Sequence, residues 1–276
     1  MKSRSCCGSA APASSDPPAS DRCLSPALGT PGSRSQIAVC HPVQVTPEST
    51  TPAASQATVF VLGVDTCGPA GSVALGSITG DRVEILSQVE LEGRTYSATL
   101  VAAVSEVLAR HSVTVRDIGC IVVVNGPGSF TGVRVGLSAA KGLAEGAGIP
   151  VVAVSRLEVL AHKSGLACAA LDAHRHEIFL RVEGRELLAG SAELAALSPA
   201  AEIAVCDPAA TSLLAANWPA ARVLSVPAPT AADALLLAAP LIRSRQFADV
   251  ALLDGHYLRR SDAEIFGDPA QAPAQC

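Results

Sequence analysis

The stretch Ile121-Val-Val-Val-Asn-Gly-Pro-Gly-Ser-Phe-Thr-Gly-Val-Arg-Val-Gly-Leu-Ser-Ala-Ala-Lys-Gly-Leu-Ala144 decides the fold of this chain. An apolar run typical of a buried strand ends in a glycine-proline loop, and a predicted helix rich in small residues follows directly. Such a loop can aim backbone N–H groups at an anion or let two segments of backbone approach closely. The first alternative indicates an enzyme and the second a scaffold.

The loop matches neither of the common phosphate-binding motifs. A nucleotide P-loop has the form GxxxxGK(S/T), in which the lysine reaches the outer phosphates. No lysine follows Gly132, and Lys141 lies well down the predicted helix. A dinucleotide loop has the form GxGxxG, but Thr131 stands where the third glycine would follow Gly126 and Gly128. A tight turn that feeds a closely packed helix is therefore favoured over an anion site.

The predicted helix after the loop carries a stripe of small residues. Gly132, Gly136 and Ala140 recur at a spacing of four, so one side of the helix has almost no side chain. This stripe predicts the close approach of a strand or of another helix.

Composition excludes several classes of function. The 276-residue chain is 49% hydrophobic and has a net charge of −5. It has no block of lysine and arginine, and aromatic residues make up only 3%, so no direct nucleic-acid site is evident. No apolar stretch is long enough to span a membrane. The nine cysteines form no CxxC pair, which indicates a reduced, cytoplasmic protein without a zinc knuckle.

Four segments follow from composition and periodicity. Residues 1–57 are a Ser/Pro/Ala-rich tail that we expect to be disordered, and residues 267–276 form a C-terminal tail. Residues 58–165 and 166–266 are predicted to form two lobes. The order β-β-β-α-β-α in the first range recurs in weaker form after residue 169, which predicts two related α/β lobes rather than one doubly wound sheet.

The periodicity predicts the individual elements as well. Predicted strands cover residues 59–64, 72–75, 83–91, 118–124 and 149–154, then 170–173, 177–182, 203–206 and 223–226, and predicted helices cover residues 95–110, 131–146, 155–162 and 230–244. A capping box at Ser155-Arg-Leu-Glu158 predicts the start of the third helix.

Seven segments, in order, resemble the TsaB family, the non-catalytic dimerization subunits of the bacterial complex that makes threonylcarbamoyladenosine in tRNA, within the glycoprotease-like proteins. They are Leu62-Gly-Val-Asp-Thr66, Gly126-Pro-Gly-Ser-Phe-Thr-Gly-Val-Arg-Val-Gly136, Ala140-Lys-Gly-Leu143, Gly148-Ile-Pro150, Ser155-Arg-Leu-Glu158, Leu171-Asp-Ala173 and Tyr257-Leu-Arg-Arg-Ser-Asp-Ala-Glu264. The resemblance implies the α/β, two-lobed acetate kinase/sugar kinase/Hsp70/actin-like (ribonuclease H-like) fold.

The catalytic relatives in this family carry a metal motif of the form HxEGH after the strand that corresponds to residues 151–154. Arg156 and Leu160 stand at the two histidine positions. An arginine is always protonated and a leucine has no lone pair, so neither can bind a metal. The resemblance therefore implies a non-enzymatic subunit with no catalytic, metal or cofactor-binding residues.

The resemblance also implies a partner surface on the helices over 95–110 and 131–146. The expected partner is the catalytic threonylcarbamoyltransferase subunit (TsaD-like), with an ATPase subunit (TsaE-like) at the joint surface and a homodimer as a possible form of the isolated chain. The interface residues predicted on the two helices are Tyr96, Leu100, Val104, Val107, Arg134, Val135, Ala139, Ala140 and Leu143. For Arg134, a contact to a partner carboxylate or phosphate and a solvated helical charge remain equal alternatives.

Two aspartates leave other readings open. Asp65 stands where kinases of this fold place a phosphate loop, although an Asx turn is favoured. Asp172 with His174 and His176 suggests either a metal cluster or, preferably, the cap of an exposed hairpin.

The predicted function is a non-catalytic scaffold that activates the transferase subunit in modifying the adenosine next to the anticodon. The alternatives are a small-molecule kinase or ATPase of the same fold, or a degenerate metallopeptidase-like protein.

Overall fold

The computed structural model describes residues 57–93 and 95–259. Nearly all of the predicted N-terminal tail, the last part of the matched segment that ends at Glu264, and the C-terminal tail lie outside these residues. None of the helices in the described part of the chain combines the length and hydrophobicity needed to cross a bilayer.

Five strands form the sheet of the first lobe: β1 (Val59–Asp65), β2 (Ala70–Thr79), β3 (Arg82–Glu92), β4 (Ile118–Val124) and β5 (Val151–Val154). Their order is β3-β2-β1-β4-β5. The first three strands are antiparallel, whereas β4 and β5 run parallel to β1. The apolar run Cys120–Val124 is fully buried, as expected for a parallel strand covered on both faces.

Three helices lie in the part of the chain that forms the first lobe: α1 (Tyr96–Ala109), α2 (Phe130–Ala147) and α3 (Arg156–Ser164). A 3₁₀ turn covers Val115–Asp117. The Ser129 hydroxyl caps α2 by accepting a hydrogen bond from the Gly132 N–H at 3.2 Å. Gly148 ends the helix in the left-handed region at φ 70°, which glycine adopts without steric cost.

The second lobe repeats the topology of the first. Its strands are β6 (Ala169–Asp172), β7 (Ile178–Val182), β8 (Arg185–Ala189), β9 (Glu202–Val205) and β10 (Arg222–Ser225). The sheet order is β10-β9-β6-β7-β8, and β9 and β10 run parallel to β6. Read from β8, this is the order of the first sheet, so the prediction of two related lobes is confirmed. Two short helices, α4 (Ser191–Ala196) and α5 (Pro208–Asn217), cover it.

The last described helix, α6 (Ala231–Arg243), returns to the first lobe. Leu235 is fully buried in the first-lobe core. A β-carbon at Gly63 would lie 2.8 Å from the Ala231 carbonyl oxygen, and one at Gly76 would lie 3.1 Å from Leu235 Cδ1. These glycines of β1 and β2 therefore let α6 approach the sheet closely. After β10 the chain crosses back to the first lobe. The predicted division into lobes between residues 165 and 166 does not include this return.

Candidate functional site

The glycine loop packs backbone against backbone on the turn between β1 and β2. The Ser129 N–H donates to the Cys67 carbonyl at 2.8 Å, and the Thr66 hydroxyl donates to the Gly132 carbonyl at 2.7 Å. A β-carbon at Gly128 would lie 2.2 Å from the Cys67 oxygen, and one at Gly132 would lie 2.0 Å from the Thr66 oxygen. The small-residue stripe is thus used for close approach to a strand end, as predicted.

Asp65 forms an Asx turn, the arrangement that the sequence favours over a phosphate loop. One carboxylate oxygen, Oδ1, accepts the Cys67 N–H at 2.8 Å. The other oxygen, Oδ2, faces Arg156 Nε at 3.7 Å, and neither of these two atoms has a hydrogen-bond partner in the structure. Burial raises the pKa of Asp65 above its ordinary value, although the charge of Arg156 and the hydrogen bond from Cys67 oppose this rise.

Arg156 is a buried cation rather than a residue of a solvated face. Its side chain is only 6% exposed, and that of Asp65 is 1% exposed. A β-carbon at Gly68 would lie 2.3 Å from Arg156 Nη2, so Gly68 leaves room for the guanidinium group. The sequence showed that Arg156 replaces a histidine, but the long-range partner of the arginine was not predicted.

The second position of the metal motif is also filled by a buried side chain. Leu160 is fully buried and packs on the second sheet with Leu157 and Leu171. The helix start differs from the predicted capping box, because Ser155 accepts the Leu157 N–H at 3.2 Å while Glu158 pairs with Arg181 at 3.2 Å. Within residues 57–93 and 95–259, no group of three or more His, Cys, Asp or Glu side chains is arranged to hold a metal ion.

A cleft of about 1250 Å³ lies between the lobes, with Arg156 and the glycine loop on one side and the β6–β7 hairpin on the other. At the hairpin, Asp172 accepts the His174 N–H at 2.7 Å and pairs with His174 Nδ1 at 2.9 Å. The His174 side chain is 86% exposed. This is the exposed hairpin cap that the sequence favours over a metal cluster.

A groove of about 450 Å³ runs between α1 and α2. Its floor and sides include Val101, which is 70% exposed, and Val135 and Ala139, which are half-buried. Arg134 is exposed and its guanidinium carbon lies 3.8 Å from the centre of the Phe130 ring, a cation–π contact. Arg134 thus stacks on Phe130 while its side chain stays exposed, and its contact with a partner carboxylate or phosphate stays a prediction.

Five of the nine predicted interface residues lie in the first-lobe core. These are Tyr96, Leu100, Val104, Val107 and Ala140, each at most 5% exposed. They are covered because α1 and α2 use these side chains to pack on the sheet and on each other. Tyr96 and Leu100 nevertheless contribute to the lining of the groove. Of the other four predicted residues, Arg134 is exposed and Val135, Ala139 and Leu143 are half-buried, and their contact with a partner stays a prediction.

Comparison with known proteins gives the family. The family model of tRNA N6-adenosine threonylcarbamoyltransferase, TsaD, matches residues 84–225, just over half of the chain. The tRNA threonylcarbamoyladenosine biosynthesis protein TsaB of Haemophilus influenzae is 36% identical over 132 residues, which are 46% of this chain and 54% of that protein. The TsaB of Escherichia coli is 34% identical over 128 residues, 43% of this chain and 52% of that protein.

The fold has a solved counterpart. A Pseudomonas aeruginosa protein described as similar to the peptidase YeaZ superimposes with a TM-score of 0.62 at 24% identity and covers 73% of this chain and 100% of its own. This likeness supports the two-lobed actin-like fold. The matches to the curated TsaB proteins span about half of the length of those relatives. From the extent of the family match, the chain belongs to the TsaD family, as a TsaB-like member.

Proposed function

We propose that this chain is a non-catalytic scaffold subunit in the threonylcarbamoyladenosine modification of tRNA. It binds and activates a TsaD-like transferase subunit, which carries out the transfer to the adenosine next to the anticodon. The pathway is supported by the names of the relatives, which describe TsaB as a biosynthesis protein for this modified nucleoside. We place this work in the cytoplasm, where the free thiols of Cys67, Cys120, Cys168 and Cys206 stay reduced.

The chemistry of the cleft supports the absence of catalysis. An arginine and a leucine occupy the positions of the two imidazole ligands of the catalytic relatives, and both side chains are buried. The carboxylate of Asp65 is already engaged by the Cys67 N–H and by Arg156. A side chain held in this way neither attacks a carbonyl nor accepts a metal without breaking these contacts.

The proposal of partner binding is based on the groove between α1 and α2. Val101 exposes an apolar side chain in the groove, and Val135 and Ala139 add apolar lining from α2. The half-buried Leu143 lies one turn further along α2. Apolar anchors in a pocket next to an exposed arginine are typical of the central part of a protein interface. We propose that a TsaD-like subunit covers this groove, that a TsaE-like ATPase binds where the two subunits meet, and that a second copy of the chain uses the same groove in isolation.

The test is reconstitution of tRNA modification by a TsaD-like subunit with and without this chain. Val101→Asp is expected to weaken the complex by about 30-fold or more, because a charge would be buried at the interface centre. Ala102→Asp is the matched control, since Ala102 is exposed on the same turn of α1 but does not line the groove. Full modification without the chain, or equal binding by both variants, would refute the proposal.

A further inference from the structure

Residues Asp254–Arg259, which we call the strap, follow α6 and run from the first lobe to the second. At the first-lobe end, the His256 N–H donates to the Asn125 carbonyl at 2.7 Å. The Asn125 side-chain amide reaches the Asp254 carbonyl at 3.5 Å, and the Tyr257 ring lies 4.8 Å from the Phe130 ring between centres. The strap is thereby attached to the end of β4 and to the start of α2.

At its other end the strap is attached to the β6–β7 hairpin. Arg259 Nη1 donates to the Ala173 carbonyl at 2.7 Å, and Arg259 Nη2 forms an ion pair with Glu177. Leu258 packs against the second-lobe core. Because His256, Tyr257, Leu258 and Arg259 all line the interlobe cleft, the strap forms one of its walls.

A charged cluster holds the middle of the strap. His256 Nε2 lies 2.9 Å from Glu186 Oε2, and the Glu186 side chain is only 7% exposed. The Ser155 hydroxyl donates to the same carboxylate at 2.7 Å, and Arg181 Nη1 donates to its other oxygen at 3.0 Å. Glu186 lies on β8 of the second lobe and Ser155 at the start of α3, so one carboxylate joins the strap to both.

We propose that the strap closes the interlobe cleft and that the proton on the His256 ring controls how firmly it is held. With the ring protonated, the bond to Glu186 is charge-assisted and the strap is fixed to β8. With the ring neutral, the bond loses its ionic part, and the strap opens more often at the middle while its ends remain attached by Asn125 and Arg259. This device is independent of the proposed scaffold function and rests on the contacts of the strap alone.

The charged groups around His256 determine the pH range. The hydrogen bond to Glu186 raises the pKa of His256 above 6.5; burial lowers it, while the negative charges of Glu186 on β8 and Glu158 on α3 raise it further. Burial alone would raise the pKa of Glu186, but the bonds from His256 and Ser155 and the charges of His256 and Arg181 on β7 bring it below 4.5.

The directions of these two pKa shifts determine how the attachment of the strap changes with pH. The contribution of His256 is complete below pH 6.5 and is lost as the pH rises through the raised pKa of the folded state. The contribution of Glu186 is complete above pH 4.5 and is lost as the pH falls through its lowered pKa. The strap is therefore held most firmly between pH 4.5 and 6.5 and is released on the alkaline side.

The experiment is amide hydrogen exchange of the full chain at pH 6 and pH 8.5, corrected for the intrinsic pH dependence of exchange. The wild-type strap is expected to exchange roughly fivefold faster at the higher pH, because a charge-assisted bond is about twice as strong as a neutral one. His256→Gln is expected to remove this difference. The matched control, His111→Gln, changes an exposed histidine in the turn after α1 and is expected to keep this difference.

Arg259→Ala supplies a second measurement, because it releases one end of the strap without touching the titrating pair. It is expected to raise strap exchange at both pH values while the pH-dependent ratio persists. An unchanged ratio in His256→Gln, or a His256 ring that titrates below 6.5 by NMR in the folded chain, would overturn the proposal.

Discussion

Replacing Gly132 with alanine tests the close contact between α2 and the β1–β2 turn. A β-carbon there would lie 2.0 Å from the Thr66 carbonyl oxygen, whereas contacts of this kind below 3.0 Å essentially do not occur. The helix or the turn would have to move by about 1 Å, and the hydrogen bond from the Thr66 hydroxyl to the Gly132 carbonyl ties them together.

Two opposing contributions determine the change in unfolding free energy caused by Gly132→Ala. Alanine favours the helix over glycine by about 1 kcal/mol, and overpacking costs about 1–3 kcal/mol. Because the clash is with backbone, we place the cost at the upper end and expect Gly132→Ala to lose about 2 kcal/mol of unfolding free energy. Gly142 lies in the same helix with nothing within 4 Å of a β-carbon, so Gly142→Ala should gain about 0.5–1 kcal/mol.

Urea unfolding followed by far-UV circular dichroism measures both variants. For a domain of this kind, a loss of about 2 kcal/mol lowers the midpoint by about 1 M urea. We expect Gly132→Ala to lower the unfolding free energy and Gly142→Ala to raise it, although both replace glycine with alanine in the same helix. If Gly132→Ala were as stable as Gly142→Ala, the contact to Thr66 would be far looser than the structure has it, and the explanation of the stripe would be refuted.

Arg156→Met is expected to cost about 3–5 kcal/mol because it leaves the buried carboxylate of Asp65 without its counter-ion, and thermal unfolding should show most of the loss recovered in the double variant with Asp65→Asn. Recovery by less than half would mean that the two side chains act separately. Trp218→Phe removes the indole N–H that donates to the Leu194 carbonyl at 2.9 Å, so we expect a loss of about 1–3 kcal/mol in chemical unfolding monitored by circular dichroism. An unchanged midpoint would contradict a buried, paired indole. For partner binding, the isolated chain should form dimers that Val101→Asp dissociates and Ala102→Asp does not, as measured by sedimentation at several concentrations.

The first lobe could be predicted well from the sequence because its patterns are strong. The apolar run of β4, the alternation of β3 and the spacing of α1 each fix one kind of element. The second lobe was harder, since β8 reads Arg-Glu-Leu-Leu-Ala without alternation and is paired with β7 by the fold. α5 was missed although Asp207 and Pro208 form an ordinary start signal, with the Asp207 carboxylate accepting the Ala210 N–H at 2.7 Å.

Contacts between distant residues account for what the sequence did not reveal at the site. The sequence shows that Arg156 stands at a histidine position. The pairing of Arg156 with Asp65, however, depends on how α3 meets the end of β1 in the folded chain. Apolar spacing identified the buried faces of α1 and α2, but it did not show how much of each face the sheet covers. The bond between His256 and Glu186 joins residues 70 positions apart and is formed only when the strap crosses between the lobes, so no local pattern in the sequence indicates it.

The return of α6 to the first sheet has a consequence for biosynthesis. The ribosome completes both sheets before it releases the helix that covers β1 and β2, so the half of the molecule that is made first stays open on one side until residues 231–243 emerge. A nascent chain in that state presents an apolar face of the kind that chaperones bind and that aggregates form on. Expression of the first lobe without this helix would leave the same face uncovered.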